Sequence, residues 1–140
     1  MAKTGGVVEA FPSGAAKVTM TAAAAITAGR LVEIAGNRTV QMAGANSLKV
    51  MGVALEGTDF VGTPDKIAIA TGGVFLLTAS GSITAGDKLV AAANGQVSTL
   101  AAVTTPTPAD VTNTRAIVGV ALEGATNGNT LRVLLQTTGG

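Results

Sequence analysis

The sequence contains no cysteine, histidine, tryptophan or tyrosine. Without cysteine there are no disulfides and no thiol chemistry, which suits folding in a reducing cytosol. Without histidine or cysteine the usual zinc ligands are missing, and a serine nucleophile has lost its commonest base. Aromatic residues make up 2% of the chain, namely Phe11, Phe60 and Phe75. The core must therefore come from Val, Leu, Ile and Ala, with Phe75 as its one large anchor. Charged residues reach only 12%, against roughly 25% in an ordinary globular protein. A free monomer relies on mixed surface charge for solubility, so a surface of Thr, Ala, Gly and Asn points to one that is covered in an assembly. The net charge is +1, with Lys and Arg scattered. Without a basic stripe or stacking aromatics there is no footprint for nucleic acid. No apolar run approaches the roughly 18 residues of a membrane span. Residues Met1 to Gly6 lack the apolar stretch of a signal peptide.

What the chain does contain is a repetition. Gly52-Val53-Ala54-Leu55-Glu56-Gly57 recurs letter for letter as Gly119-Val120-Ala121-Leu122-Glu123-Gly124. Upstream of each stands a second shared phrase, Ile26-Thr27-Ala28-Gly29 and Ile83-Thr84-Ala85-Gly86. The first phrase is offset by 57 residues and the second by 67, so the later half carries ten extra residues between its phrases. The stretch Thr104-Thr105-Pro106-Thr107-Pro108 marks the insertion. Two copies are too few for a solenoid, and 140 residues match one domain. The expected organisation is an N-terminal arm over 1–17 and a single β domain over 18–140, internally duplicated at about 26–73 and 83–140.

Short strand-like runs alternate with turn signals from Val18 onward, the pattern of an all-β protein. The fold class expected is a compact small barrel or sandwich of two related β-units, with an extended arm. Leu31 to Ile34, the Gly36-Asn37 turn and Thr39 to Met42 read as one hairpin. Lys88 to Ala91 and Gln96 to Leu100 read as its counterpart around Asn94-Gly95, since Asn-Gly tolerates the positive φ of a type I′ turn. Further strands are expected at Lys66 to Ile69, Gly73 to Leu77 and Thr130 to Leu135. In the repeated phrase Val53 and Leu55 alternate with Gly52, Ala54 and Glu56, so Val53/Leu55 and Val120/Leu122 are expected to face the core. The alanines of Thr21 to Ala25 favour helix but are too few to hold one, and read as strand end or loop.

Side chains that could carry chemistry are sparse. Asp59 and Asp65 lie in a Gly/Pro loop without the spacing of a calcium site. No Ser-x-x-Lys, Gly-x-Ser-x-Gly or phosphate-loop motif occurs. Glu56 and Glu123 occupy equivalent repeat positions and invite comparison with paired glycosidase carboxylates. Such a site also needs aromatic platforms that three Phe residues do not supply, so strand-end charges are the favoured reading. No enzymatic activity, metal or cofactor is expected. The arm combines Val7, Val8 and Phe11 with breakers at Gly5-Gly6, Pro12 and Ser13-Gly14. Together with Thr105, Pro106 and Pro108 of the insertion, those three are the candidate partner-binding residues.

Gly73-Val74-Phe75-Leu76, Ala79-Ser80-Gly81, Ile83 to Leu89, Gly95-Gln96-Val97, Val118 to Glu123 and Arg132-Val133-Leu134 follow one another in a recognisable order. Over roughly Thr21 to Gln136 this resembles the capsid cement, or head decoration, proteins of tailed bacteriophages. The resemblance implies a structural virion protein made in the host bacterial cytoplasm. It would bind the exterior of an icosahedral head and brace joints between major capsid subunits. Its partners would be the major capsid protein and its own copies, as a trimer at threefold or quasi-threefold positions, with neither nucleic acid nor membrane involved. The alternatives are a tail-tube or fibre component, or a small ligand-binding β-module, since Ile-Thr-Ala-Gly-Asp also resembles β-clip domains.

Overall fold

The computed structural model describes residues 17–58 and 65–136. The arm residues Val7, Val8 and Phe11 therefore lie outside the described residues. The first five strands are β1 (Lys17–Ala22), β2 (Leu31–Gly36), β3 (Thr39–Met42), β4 (Val50–Ala54) and β5 (Lys66–Ala70). They close into a barrel in the order β1-β3-β2-β4-β5. Closure joins β1 antiparallel to β5 along its length and parallel to β3 at Thr21 and Ala22.

The next five are β6 (Gly72–Thr78), β7 (Lys88–Ala91), β8 (Val97–Thr99), β9 (Ile117–Ala121) and β10 (Thr130–Gln136). Their order, β6-β10-β9-β7-β8, repeats the first unit strand for strand, with β6 in the place of β1. Even the parallel closure has a vestige. Ala79 bridges Val97 in parallel, the same positions as Ala22 and Val40 shifted by 57. The fold is all-β, as the alternation predicts.

Each shared phrase grips the other within its own unit. Gly29 N–H donates to the Ala54 carbonyl at 2.8 Å, and Ala54 N–H returns a bond to the Arg30 carbonyl at 3.0 Å. In the second unit Gly86 donates to Ala121 at 2.8 Å and Ala121 to Asp87 at 2.9 Å. Gly29 and Gly86 hold φ of 83° and 91°, a region in which a side chain is strained. The phrases recur because together they form one clasp.

The hairpins follow their turn chemistry. Asn94 and Gly95 have φ of 58° and 71°, as a type I′ turn requires. A Cβ on Gly95 would lie 2.6 Å from the Leu31 carbonyl oxygen, so glycine also lets this turn dock on the first unit. The first hairpin turns one residue later than expected, at Asn37-Arg38. A bulge between Ile34 and Gly36 shifts the register, and Arg38 takes the positive φ of 56°.

Seven buried residues line the first barrel: Ala22, Ile26, Val32, Val40, Ala54, Ile67 and Ile69. Their counterparts Ala79, Ile83, Leu89, Val97, Ala121, Leu131 and Val133 are buried with Phe75 in a second cluster. That cluster also takes in Leu31, Val53 and Ala70, which stand on the outer face of the first barrel. The second unit thus covers one side of the first, and β4 is buried on both faces.

The repeated phrase is placed differently from expectation. Its Gly and Ala, not its Val and Leu, face the interior of each unit: Ala54 joins the barrel cluster and Ala121 the second cluster. Val53 is buried and Leu55 half-buried against the second unit. Val120 is only half-buried and Leu122 is 48% exposed, because none of the described residues covers the matching face of the second unit. The expectation that all four would be core residues is corrected for Val120 and Leu122.

A Cβ at Gly52 would collide with the Ala70 carbonyl, and one at Gly119 with the Leu134 carbonyl. Both obstacles are backbone and cannot swing aside. Gly52→Ala and Gly119→Ala should each lower stability by about 1–3 kcal/mol, the scale of overpacking a core. Gly72→Ala, with nothing within 4 Å of its Cβ, should change stability by no more than about 0.5 kcal/mol. Urea unfolding midpoints of the three variants check this.

Candidate functional site

The two repeat glutamates each bond to a strand of their own unit. Glu56 Oε2 accepts from the Ala68 N–H at 3.1 Å, and Glu123 Oε2 accepts from the Arg132 N–H at 2.8 Å. Each carboxylate caps the strand beside it, β5 or β10, where the ladder ends. In the second unit Arg132 Nη1 also lies 3.4 Å from Glu123. Each glutamate thus serves the ladder of its own unit. Asp65 lends its carbonyl to Ala22 N–H, and Asp59 lies outside the described residues. Among the described residues no three His, Cys, Asp or Glu side chains converge as metal ligands.

Two carboxylates have lowered pKa values. At Glu33, burial pushes upward but is outweighed by hydrogen bonds from Ser47, Gln41 and the Gly44 N–H and by the charge of Lys49. The Gln41 amide lies 2.7 Å from its carboxylate and the Gly44 N–H 3.2 Å, tying the 43–49 loop to β2. Asp87 is lowered by the Thr84 N–H at 3.0 Å and the Thr99 hydroxyl at 2.8 Å. Both are joints of the framework.

The insertion lies between β8 and β9, where residues 100–116 replace the short 43–49 loop of the first unit. Within it sits one short helix, α1 (Pro108–Thr114). The Thr107-Pro108-x-Asp110 pattern carries a legible start signal, a capping residue before proline with an acid three positions on. Asp110 Oδ2 accepts from the Thr107 N–H at 2.6 Å and its hydroxyl at 2.9 Å. No residue of α1 is buried. Thr105, Pro106 and Pro108 are exposed, as are Val103 and Val111, the latter at 67%. The segment and the β7–β8 hairpin enclose a groove of about 210 Å³, floored by Val90 and edged by Asn46, Thr99, Val103, Asp110 and Asn113.

Among the described residues no helix is long and apolar enough to cross a membrane. Two clasped β-units in which Glu33, Glu56, Asp87 and Glu123 each accept a backbone N–H make a framework. The chain belongs to the phage cement protein family, whose model matches residues 11–137. Its fold is similar to that of the N base of the head fibre gp8.5 of bacteriophage phi29, with a TM-score of 0.61. That likeness is one of fold, at 20% sequence identity over 88% of this chain and 95% of the other. No curated protein sequence matches the chain. It is a bacteriophage structural protein.

The lowered carboxylates set the acid response. A depressed folded pKa gives stability that is fully present above the unfolded value and lost as pH falls through the folded one. Thermal unfolding midpoints should therefore hold steady above about pH 5 and fall below about pH 4, near the unfolded carboxylate values. Glu33→Gln with Asp87→Asn should flatten that fall, and an unchanged acid profile in the double variant would refute the assignment.

Proposed function

We propose that this protein binds the outer surface of an icosahedral phage head and braces joints between major capsid subunits. Its membership of the cement family carries the reading. The structure adds two supports: each polar side chain discussed above serves the framework, and exposed apolar residues remain on a chain with few charges. A brace needs rigid units and surfaces for neighbours to cover, and no catalysis. Copies of the chain are proposed to associate as trimers at threefold or quasi-threefold positions, where contacts to several subunits add by multivalency. The N-terminal arm with Val7, Val8 and Phe11, and the insertion with Thr105, Pro106 and Pro108, are the proposed capsid contacts. The two units of matching strand order are read as a duplicated β-unit. A fibre role is the second reading, favoured by the likeness to a head-fibre base.

Binding of the purified protein to heads that lack it, followed by imaging of where it sits, tests the proposal. Capture at capsid joints supports a brace, whereas projecting fibres favour the second reading and absence of capture refutes both. Removing residues 1–13 should leave the β-units folded while weakening head binding by about tenfold or more, roughly 1.4 kcal/mol. Unchanged affinity would move the contact to the insertion.

A further inference from the structure

The chain holds two Asn-Gly pairs, Asn94-Gly95 and Asn127-Gly128. Such a bond is a weak point of a polypeptide toward water, because glycine has no side chain to hinder attack by its own amide nitrogen. The two pairs stand in different places. Asn94 and Gly95 form the tip of the β7–β8 hairpin, and that tip is wedged into the joint between the units. Gly95 N–H donates to the Ala43 carbonyl at 2.9 Å, and Arg30 Nη1 donates to the Asn94 carbonyl at 2.9 Å. The Asn46 N–H adds a third bond across the joint, to the Ala91 carbonyl at 2.8 Å. Asn127 and Gly128 bond within the second unit instead. Asn127 Oδ1 accepts from the Gly81 N–H at 2.8 Å, and Gly128 N–H donates to the Ala79 carbonyl at 2.9 Å.

We propose that Asn94 is a site of spontaneous deamidation, gated by opening of the joint between the two units. In the reaction the Gly95 nitrogen attacks Cγ of Asn94, and the new C–N bond closes a cyclic imide. The Cγ–Nδ2 bond breaks, and ammonia leaves with the proton that Gly95 gave up. Water then adds to one imide carbonyl and breaks its bond to nitrogen, which leaves aspartate or isoaspartate. No electrons are gained or lost.

The closed joint opposes the first step. Asn94 is exposed to water, but its ψ of 33° turns the Gly95 nitrogen away from Cβ. To reach Cγ the nitrogen must swing round, which breaks its bond to Ala43. Gly95 itself is buried, and an added Cβ would lie 2.6 Å from the Leu31 carbonyl oxygen and 2.8 Å from Arg30 Cβ. The seat has no room for that rotation while the units are docked. The step waits for the hairpin to lift off the first unit, and its rate follows the population of the open joint. Isoaspartate then makes the opening permanent. It lengthens the main chain by one methylene in a turn where Gly95 has no room even for a Cβ, so the hairpin cannot seat again. Aspartate keeps the length and tolerates the positive φ of 58°.

Timed incubation of the purified full chain in mildly alkaline buffer, followed by peptide mass spectrometry, tests this. Deamidation shows as a mass gain at each asparagine, and isoaspartate by enzymatic methylation of its α-carboxylate. In the urea-unfolded chain Asn94 and Asn127 should convert at similar rates. In the folded chain Asn94 should convert at least about tenfold more slowly than in the unfolded one. Arg30→Ala, which removes one bond of the joint, should speed Asn94 by about threefold, the scale of a single hydrogen bond, and leave Asn127 unmoved. Val53→Ala, which thins the apolar contact between the units, should also speed Asn94. Circular dichroism establishes that a variant is folded before its rate is read. Asn94 converting as fast folded as unfolded would overturn the gate. So would a rate that neither folded variant moves, or an equal acceleration of Asn127. Chains carrying isoaspartate at position 94 should melt at a lower temperature than the wild type, whereas Asn94→Asp should match it. An isoaspartate form that melts with the wild type would overturn the failure to seat again.

Discussion

The paired hydrogen bonds between Gly29-Arg30 and Ala54, repeated between Gly86-Asp87 and Ala121, are the constraint on which the rest of each unit depends. They fix the turn before β2 or β7 against the end of β4 or β9. Each bond contributes only about 1 kcal/mol net, but an unpaired buried amide would cost more. The clasp also sets the close approach of Gly57 to the Ile26 carbonyl and of Gly124 to the Ile83 carbonyl, at 3.4 and 3.1 Å from an added Cβ.

The small residues of the repeated phrase face inward beside larger ones. Five strands enclose a narrow interior, and the seven residues that fill it in the first unit include two alanines. The larger side chains of β4 are left to point outward, where they must find another cover. In the first unit that cover is the second unit. Identical letters therefore reach opposite ends of the burial scale, with Val53 fully buried and Leu122 half exposed. Among the described residues, the repeated phrase is thus sealed in one unit and open in the other.

A scaffold of this kind explains the composition. Carboxylates that might have served chemistry are spent on backbone amides: Glu56 on Ala68, Glu123 on Arg132, Asp87 on Thr84. Membership of the phage cement family accords with that physical character.

Much of this was legible in the sequence. Period-two runs gave β5, β6 and β10, the Asn94-Gly95 pair gave its turn, and the insertion showed in the unequal offsets of the two phrases. The sequence alone determined an all-β chain with a repeated framework and without histidine or cysteine, because these follow from local preference and composition. The helix at Pro108–Thr114 was missed although its capping signal was present, since its residues bury nothing and leave no apolar periodicity. Only the tertiary structure decided that Ala54 and Ala121 face inward and that Leu122 stays open. Alternation reveals that a strand has two unlike faces. What covers either face depends on strands and units distant in the chain, and two copies of one phrase cannot differ until those neighbours are in place.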